Sequence, residues 1–240
     1  MDVTVGICTW NRARLLDATL AQMCKLRIPA GTEWELLVVD NNCSDDTPAV
    51  IQRYEGRLPI RRVFERDQGI SYARNRIQRE AAGDLLLWTD DDVLVDEAWF
   101  AEYVGAARRW PNAGFFGGLI TPWFEHEPPS WFQANLVALA PALAMRNLGP
   151  DERELLPDEP PFGANMAFRR AAFGSMTYDT RLGPHGSDEI RGDETTYCRA
   201  LAANGFRGVW VPSAKVQHYV VARRLTLDYV RRYWAGLGRT

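Results

Sequence analysis

The sequence lacks any apolar stretch long enough to cross a bilayer, which takes about 20 residues in a helix. The longest candidate, Leu136 to Met145, is short and is interrupted by Pro141. A strand-like run follows Met1 directly, so no signal peptide is expected. We therefore expect a soluble, cytoplasmic protein that at most associates peripherally with the inner face of a membrane.

The sequence also has few cysteines, and they form no familiar pattern. Cys8, Cys24, Cys43 and Cys198 contain no C-x-x-C pair. Their spacing fits neither a zinc site nor a disulfide framework. We expect them to be small apolar residues in or near the core, in a reducing compartment.

An excess of basic charge is absent as well. The chain has 28 Lys and Arg against 31 Asp and Glu, a formal net charge of -3. Nucleic acid is therefore not the expected partner, since its binding usually needs a basic excess on one face. Arginines are still dense near the C-terminal end: Arg223, Arg224, Arg231, Arg232 and Arg239. This cluster is either a solvated helix face or a surface for an anion such as membrane lipid or a diphosphate.

What the sequence does contain is an alternation of strand-like and helix-like segments. Short apolar runs predict strands, and apolar residues at helical spacing predict helices. The predicted strands are 3–8, 35–39, 60–64, 85–89, 163–168 and 206–211. The predicted helices are 15–24, 46–54, 70–82, 96–111 and 193–204. The alternation in the first half indicates βαβ units and a mostly parallel sheet.

Polar residues follow three of these strands directly. Thr9, Asn11 and Arg12 follow the first strand, Asp40–Asn42 the second and Asp90–Asp92 the fourth. Ligands of open α/β sheets bind outside the carboxyl ends of the strands. The three clusters therefore predict one convergent site at that edge.

The aspartates Asp90, Asp91 and Asp92 are the strongest candidates for a metal site. In an extended segment Asp90 and Asp92 would face the same ligand, while Asp91 would point away. Carboxylates held close together repel one another unless a cation lies between them, and oxygen ligands suit Mg²⁺ or Mn²⁺. Such an ion would neutralise charge on a departing nucleotide diphosphate. A solvated acidic turn is the alternative.

The other candidates also have two interpretations each. Asp40 could accept a hydrogen bond from a ribose or base, or it could cap the following turn. Arg74 could hold a nucleotide or phosphate, or form a surface salt bridge. Asp193 and Glu194 could cap a helix, or one of them could deprotonate a hydroxyl. His218 could bind the metal or a phosphate, or be a hydrogen-bonded structural residue.

Together these residues resemble the family 2 glycosyltransferases, which have the GT-A fold. The matching segments are 9–12, 39–45, 73–75, 90–92, 163–169, 192–194 and His218. Each segment is weakly specific, but their order and spacing across nearly the whole chain are specific. The resemblance implies a Rossmann-like α/β fold with a mostly parallel, mixed central sheet flanked by helices.

The resemblance also implies an activity and a set of partners. The activity is a metal-dependent, inverting transfer of sugar from a nucleotide-sugar, such as a UDP-sugar, to a hydroxyl. The acceptor would be a saccharide or lipid-linked molecule in bacterial surface polysaccharide or glycoconjugate synthesis. Mn²⁺ or Mg²⁺ is the implied cofactor. Residues 1–120 would bind the donor and 121–240 the acceptor, as halves of one fused domain, since the composition changes after Ile120.

The site residues follow from the matching positions. Asp92 and His218 match metal ligands, and Glu194 matches the base, with Asp193 as the alternative. The expected donor-binding residues are Thr9, Asn11, Arg12, Asp40, Asn42, Arg74, Asp90 and Asp91. Asn165 lies in a segment that matches an acceptor-side loop. Trp123 begins an aromatic stretch, 123–132, that is either an acceptor platform or a second small core.

Two departures from the family pattern affect these assignments. The family often reads Gly-Glu-Asp where this chain has 192–194, so the catalytic base could be either Glu194 or Asp193. Many relatives carry Asp-Asp-Gly where this chain has Asn41-Asn42-Cys43, so the contacts to the nucleobase and ribose of the donor can differ.

Two other functions stay open on the sequence alone. A sugar-phosphate nucleotidyltransferase would need a glycine-rich loop after the first strand, which residues 9–14 lack. A non-catalytic sugar- or nucleotide-binding module would not need both Asp92 and a base. Residues 233–238 resemble the start of an element that longer relatives continue.

Overall fold

Within residues 1–185, 188–190 and 192–237, which the computed structural model describes, nine strands form one mixed sheet. The strands of this part of the chain are β1 (Val3–Thr9), β2 (Trp34–Asp40), β3 (Ile60–Phe64), β4 (Leu85–Asp90), β5 (Val93–Val95), β6 (Ala113–Phe124), β7 (Arg153–Glu154), β8 (Met166–Arg169), β9 (Gly183–His185), β10 (Asp188–Ile190) and β11 (Arg207–Val220). The order in the large sheet is β3-β2-β1-β4-β8-β6-β11-β5, with β7 attached to β11, and β9 pairs with β10 separately.

Helices flank the sheet on both faces. They are α1 (Ala13–Met23), α2 (Thr47–Gln52), α3 (Ile70–Glu80), α4 (Trp99–Arg109), α5 (Ser130–Gln133), α6 (Leu136–Leu139), α7 (Arg170–Phe173), α8 (Asp193–Ala203) and α9 (Leu227–Leu237). Short 3-10 helices lie at Ala140–Leu143, Gly163–Asn165 and Ala222–Leu225. In the described ranges, none of the helices combines the length and apolar character that crossing a membrane requires.

The sheet combines parallel and antiparallel pairs. Parallel pairing joins β1 to β2 and β4, β2 to β3, and β6 to β11. Strand β8 runs antiparallel between β4 and β6, and β5 and β7 run antiparallel to β11. The predicted α/β fold with a mixed central sheet flanked by helices is therefore confirmed. Strands from both predicted halves share this sheet, while the separate donor and acceptor roles of the halves stay predictions.

The central strand β4 shows how the core is divided. Its side chains alternate, because successive residues of a strand point to opposite faces. Leu85 and Leu87 join an apolar cluster with residues of α1, α2 and α4. Leu86 and Trp88 join a second cluster with residues of α3 and α8. Burial on both faces explains why β4 reads as a continuous apolar run in the sequence.

The last strand is longer than the sequence predicts. The predicted strand 206–211 stops before Pro212, whereas β11 runs from Arg207 to Val220. Its pairing with β6 shifts register between Val211 and Lys215. A proline can be accommodated at such an irregularity because its missing N–H costs no ladder hydrogen bond there. The prediction of this boundary was wrong, and the correction brings His218 into the sheet.

The aromatic-rich stretch contributes to a third, smaller core. Phe132 is fully buried there with Leu139, Leu143, Val220 and Leu225. This matches the small-core alternative for Phe132.

Candidate active site

A cavity of about 420 Å³ opens at the carboxyl ends of β1 and β4. Its walls also include the start of α3, the start of α8, the last part of β11 and the 3-10 helix Ala222–Leu225. The predicted site residues that line it are Thr9, Arg12, Arg74, Asp90, Asp91, Asp92, Glu194 and His218. Both halves of the chain therefore contribute to one site.

Asp90, Asp92 and His218 form a group at which a cation could bind. Each offers one ligand atom, and these atoms lie within 4.8 Å of one another. The Asp92 Oδ1 atom is buried without a hydrogen-bond partner among the described residues and lies 3.5 Å from His218 Nε2. His218 Nδ1 lies 3.2 Å from the Leu143 carbonyl oxygen, which can only accept, so Nδ1 carries the proton. In the neutral ring, Nε2 is then an available lone-pair donor.

The strands explain how residues so distant in sequence meet. Asp90 ends β4, and Asp91 and Asp92 form the turn that leads into β5. Strand β5 pairs with β11 so that Val93 lies opposite His218. The Tyr219 N–H donates to the Asp92 carbonyl at 2.9 Å, which fixes the turn against β11.

The aspartates therefore meet by a different geometry from the predicted one. Only Asp90 is in a strand, because the chain turns after it. Asp91 and Asp92 lie in the turn and Asp91 lines the cavity, so the predicted extended triplet with an outward Asp91 was wrong. Asp90 and Asp92 nevertheless approach one another, together with His218, as predicted.

Burial, with the neighbouring charges, shifts the pKa values of Asp90 and Asp91. Burial and the neighbouring charge of Asp92 raise the pKa of Asp90 above its ordinary value. Burial raises the pKa of Asp91 to about 7, even though the positive charge of Arg12 acts in the opposite direction. A bound divalent cation would act in the opposite direction on Asp90 and Asp91, because it stabilises their ionised forms.

Arg12 contacts this acidic turn directly. Its Nη1 lies 3.0 Å from Asp91 Oδ1 and 2.7 Å from Asp92 Oδ2. The guanidinium thus compensates part of the negative charge of the turn. Arg12 was predicted as a donor-binding residue, and in the structure its guanidinium donates hydrogen bonds to Asp91 and Asp92.

Glu194, the predicted base, is held by Arg74. The Arg74 Nη2 donates to Glu194 Oε1 at 2.8 Å, and the Arg74 guanidinium lies over the Tyr178 ring at 5.4 Å. Gly163 makes room for this pair, since a Cβ there would lie 2.2 Å from Arg74 Nη2 and 2.4 Å from Glu194 Oε1. Asp193, the alternative base, begins α8, but its side chain lies outside the described residues.

Three other predicted donor-binding residues, Asp40, Asn42 and Asn11, do not line the cavity. Asp40 is fully buried, and its carboxylate accepts from Arg62 Nε at 3.0 Å and from the Cys43 N–H at 2.8 Å. Asn11 accepts from the Ser44 N–H at 2.7 Å, and Asn42 has a left-handed backbone with φ 65. These groups hold the loops together, as the turn-capping alternative for Asp40 predicts.

Asn165 is also outside the cavity. It is fully buried and accepts from Trp99 Nε1 at 2.8 Å and from the Tyr103 hydroxyl at 2.7 Å. Its amide N donates to the carbonyls of Leu119 and Ala214 at 3.0 and 2.8 Å. All its hydrogen-bonding capacity is used inside the protein, so its position gives no support to an acceptor contact.

Trp123 does not line the cavity either. Its ring packs edge-on against Tyr219, with the ring centroids 5.0 Å apart. Its predicted role in acceptor binding stays a prediction.

Sequence reasoning did not place several residues of the cavity wall. Arg223 and Arg224 line it, whereas Arg232, from the same cluster, pairs with Asp228 on α9. Neither Arg223 nor Arg224 forms an ion pair within the described part of the chain. The cluster of arginines is visible in the sequence. The sequence does not show which of them face the cavity, because this depends on where β11 ends.

Asn41, which the sequence groups with Asp40 and Asn42, also lines the cavity. Its Oδ1 accepts from the Gly69 N–H at 2.9 Å, and its Nδ2 donates to the Asp67 carbonyl at 2.7 Å. It thereby holds the loop that supplies Gln68 and Gly69 to the cavity wall. Trp10, which is 46% exposed, also lines the cavity.

Comparison with known proteins agrees with this arrangement. The family model for "Glycosyl transferase family 2" matches residues 4–174. The chain belongs to this family. Its relatives and structural neighbours are glycosyltransferases, and the protein is a glycosyltransferase.

One curated relative is a glucosyl-dolichyl phosphate glucuronosyltransferase from Haloferax volcanii. It is 24% identical over 253 residues, which cover 100% of this chain and 76% of the relative. A mannosyltransferase from Pyrobaculum calidifontis, solved with GDP-Man and Mn²⁺, has a TM-score of 0.66 at 22% identity. Staphylococcus aureus TarS, solved with UDP-GlcNAc, has a TM-score of 0.64 at 16% identity.

The two solved structures are similar in fold over almost all of this chain. They cover 99% and 93% of it, respectively. The chain, however, spans only 64% of the mannosyltransferase and 59% of the TarS chain. Both neighbours are therefore longer than the chain described here.

Proposed function

We propose that this glycosyltransferase transfers a sugar from a nucleotide-sugar, with a UDP-sugar as the expected donor, to a hydroxyl group. The acceptor is a saccharide or a lipid-linked molecule, and the transfer inverts the anomeric centre and requires Mn²⁺ or Mg²⁺. The observation that carries the proposal is the convergence of Asp90, Asp92 and His218 in one cavity with Glu194.

The residues of the cavity fit a divalent cation. Two carboxylates and one imidazole nitrogen form a suitable donor set, and Asp92 Oδ1 is a buried polar atom without a hydrogen-bond partner among the described residues. When bound, the cation would stabilise the negative charge that develops on the leaving nucleoside diphosphate. Asp90, Asp92 and His218 would hold it.

Arg223 and Arg224 complement that role. Guanidinium groups bind phosphate oxygens with strong, charge-assisted hydrogen bonds. These two arginines line the cavity and, in the described chain, are not committed to carboxylates. We assign them to the diphosphate, which favours the anion-binding alternative for this part of the arginine cluster.

Glu194 is the proposed base. Its carboxylate takes the proton of the acceptor hydroxyl as the acceptor oxygen bonds to the anomeric carbon. The bond between that carbon and the phosphate oxygen breaks on the opposite face, and its electron pair leaves with the nucleoside diphosphate. Arg74 and the space at Gly163 keep the carboxylate oriented for this step.

The known proteins support the choice of substrates. One structural neighbour was solved with GDP-Man and Mn²⁺ and another with UDP-GlcNAc, so both are nucleotide-sugar complexes. The Haloferax relative is named for a dolichyl phosphate-linked substrate. We extend these substrate classes to this chain. We also propose that it acts in the cytoplasm at a membrane face, in the synthesis of surface polysaccharide or glycoconjugate.

A donor panel tests the proposal. UDP-, GDP- and dTDP-sugars are incubated with the protein and Mn²⁺ or Mg²⁺, and nucleotide release is measured. We expect release from at least one donor, strongest with UDP-sugars, and its loss on addition of a chelator. Release that is indifferent to chelator would contradict the metal requirement. Pyrophosphate formation from UTP and a sugar phosphate would instead indicate a nucleotidyltransferase.

A further inference from the structure

The backbone of the acidic turn is fixed from two sides. The Thr19 hydroxyl donates to the Asp91 carbonyl at 3.0 Å and accepts from the Val93 N–H at 3.3 Å. The Tyr219 N–H donates to the Asp92 carbonyl at 2.9 Å. These bonds set the path of the chain but leave the side-chain torsions of Asp91 and Asp92 undetermined.

Arg12 supplies the missing constraint on the side chains. Its Nη1 atom alone bonds to Asp91 Oδ1 at 3.0 Å and to Asp92 Oδ2 at 2.7 Å. The two carboxylates are only 5% and 7% exposed, so water competes little for these bonds. Arg12 itself is anchored where α1 begins, since its carbonyl accepts from the Leu16 N–H at 3.0 Å.

The two oxygens of Asp92 therefore have different environments. Oδ2 is bonded to Arg12, whereas Oδ1 is buried without a hydrogen-bond partner in the described structure and lies 3.5 Å from His218 Nε2. We infer that Arg12 is a positioning residue for the cation site: it holds Asp92 by Oδ2 so that Oδ1 faces Asp90 and His218. The inference rests on the proposed metal dependence.

Charge and geometry predict opposite changes in metal affinity when Arg12 is removed. A positive group beside a cation site repels the cation, so charge alone predicts tighter metal binding once Arg12 is removed. Without Arg12, however, Asp91 and Asp92 repel each other and Asp92 is free to rotate away from His218. Residues that orient metal ligands typically contribute about 10- to 100-fold to metal affinity.

The test is Mn²⁺ affinity without donor, measured from the free Mn²⁺ signal in electron paramagnetic resonance. The proteins are the wild type, Arg12→Ala, Arg12→Lys and the control Arg14→Ala. Arg14 is exposed and has the same charge near the start of the same helix, but it donates a hydrogen bond to the Tyr219 hydroxyl. Thermal unfolding in chelator checks that each variant folds.

We expect Arg12→Ala to bind Mn²⁺ at least about tenfold more weakly than the wild type. The Mn²⁺ affinity of Arg12→Lys should fall between those of Arg12→Ala and the wild type, and that of Arg14→Ala should match the wild type. Arg12→Ala that binds as tightly as the wild type, or more tightly, would overturn the inference but leave the metal site in place. Equal losses in Arg12→Ala and Arg14→Ala would also overturn it. No Mn²⁺ binding by the wild type, either alone or with UDP, would reject the metal dependence itself. If Arg12→Ala does not fold, wild-type affinity in Arg12→Lys would contradict the positioning role.

Discussion

Two loops at the same edge of the sheet look alike in sequence but differ in how their polar groups are used. The loop after β2 begins with Asp40, whose carboxylate is bonded to Arg62 and to the Cys43 N–H. The turn after β4 contains Asp92, whose Oδ1 is buried and lacks a partner in the described residues. Both follow a buried parallel strand, so sequence position alone cannot separate them.

The difference shows which polar residues at strand ends are available to a ligand. A buried polar group is costly unless it is hydrogen-bonded. At Asp40 the protein itself satisfies the carboxylate, and the residue stabilises the loops. At Asp92 the described residues satisfy one oxygen only, and the other faces Asp90 and His218, which supports the turn as the proposed cation site.

The largest effect is expected at the base. Glu194→Gln keeps the size and one hydrogen-bond acceptor of the side chain but cannot take a proton, so transfer should fall on the order of 10³-fold. Donor affinity, measured by calorimetry, should stay close to that of the wild type. If Asp193→Asn causes the loss instead, or if Glu194→Gln loses donor binding as well, the assignment of the base is wrong.

Gly163→Ala should reduce transfer by about 100-fold, since a small displacement of a reacting group has effects of this size. The added Cβ would overlap Arg74 Nη2 and Glu194 Oε1 and push the base out of place. Initial rates at saturating donor measure the effect. Gly105→Ala is the control, because its Cβ would meet only the flexible end of Arg109. Equal activity in the two variants would contradict the positioning of Glu194.

Replacing both Arg223 and Arg224 by alanine should raise the donor KM about tenfold or more, because charge-assisted phosphate contacts are lost. Arg231→Ala is the matched control, since Arg231 is exposed on α9 and does not line the cavity. The effect should shrink at high salt, because exposed charges are screened. A KM that changes equally in the control would exclude a specific diphosphate contact.

Asp40→Asn should have the smallest effect on transfer, within about threefold, because Asp40 lies outside the cavity. Its loss of the Arg62 ion pair should instead lower the free energy of unfolding by about 1–3 kcal/mol. Urea unfolding of this variant is compared with Asp46→Asn, an exposed carboxylate that should cost little. If Asp40→Asn lost most of its donor affinity while remaining as stable as the wild type, Asp40 would be a donor-binding residue.

Much of the fold and part of the site could be predicted from the sequence. Parallel strands bring their carboxyl ends to one edge, so the meeting of Thr9 with Asp90 follows from the pattern of apolar runs. The position of His218 relative to Asp92 could not be derived in this way, because it depends on β11 continuing through an irregularity after Val211. Matching a short segment also gave the position of Asn165 but not its complete burial, which depends on Trp99 and Tyr103 packing above it.

The most direct test of the cation-and-diphosphate site is the affinity for UDP with Mn²⁺ and with chelator, measured by calorimetry. The wild type should bind UDP at least tenfold more tightly with Mn²⁺, and Asp92→Asn should abolish that difference, whereas Asp40→Asn should preserve it. Equal UDP affinity of the wild type with Mn²⁺ and with chelator, or an undiminished Mn²⁺ effect in Asp92→Asn, would contradict the account.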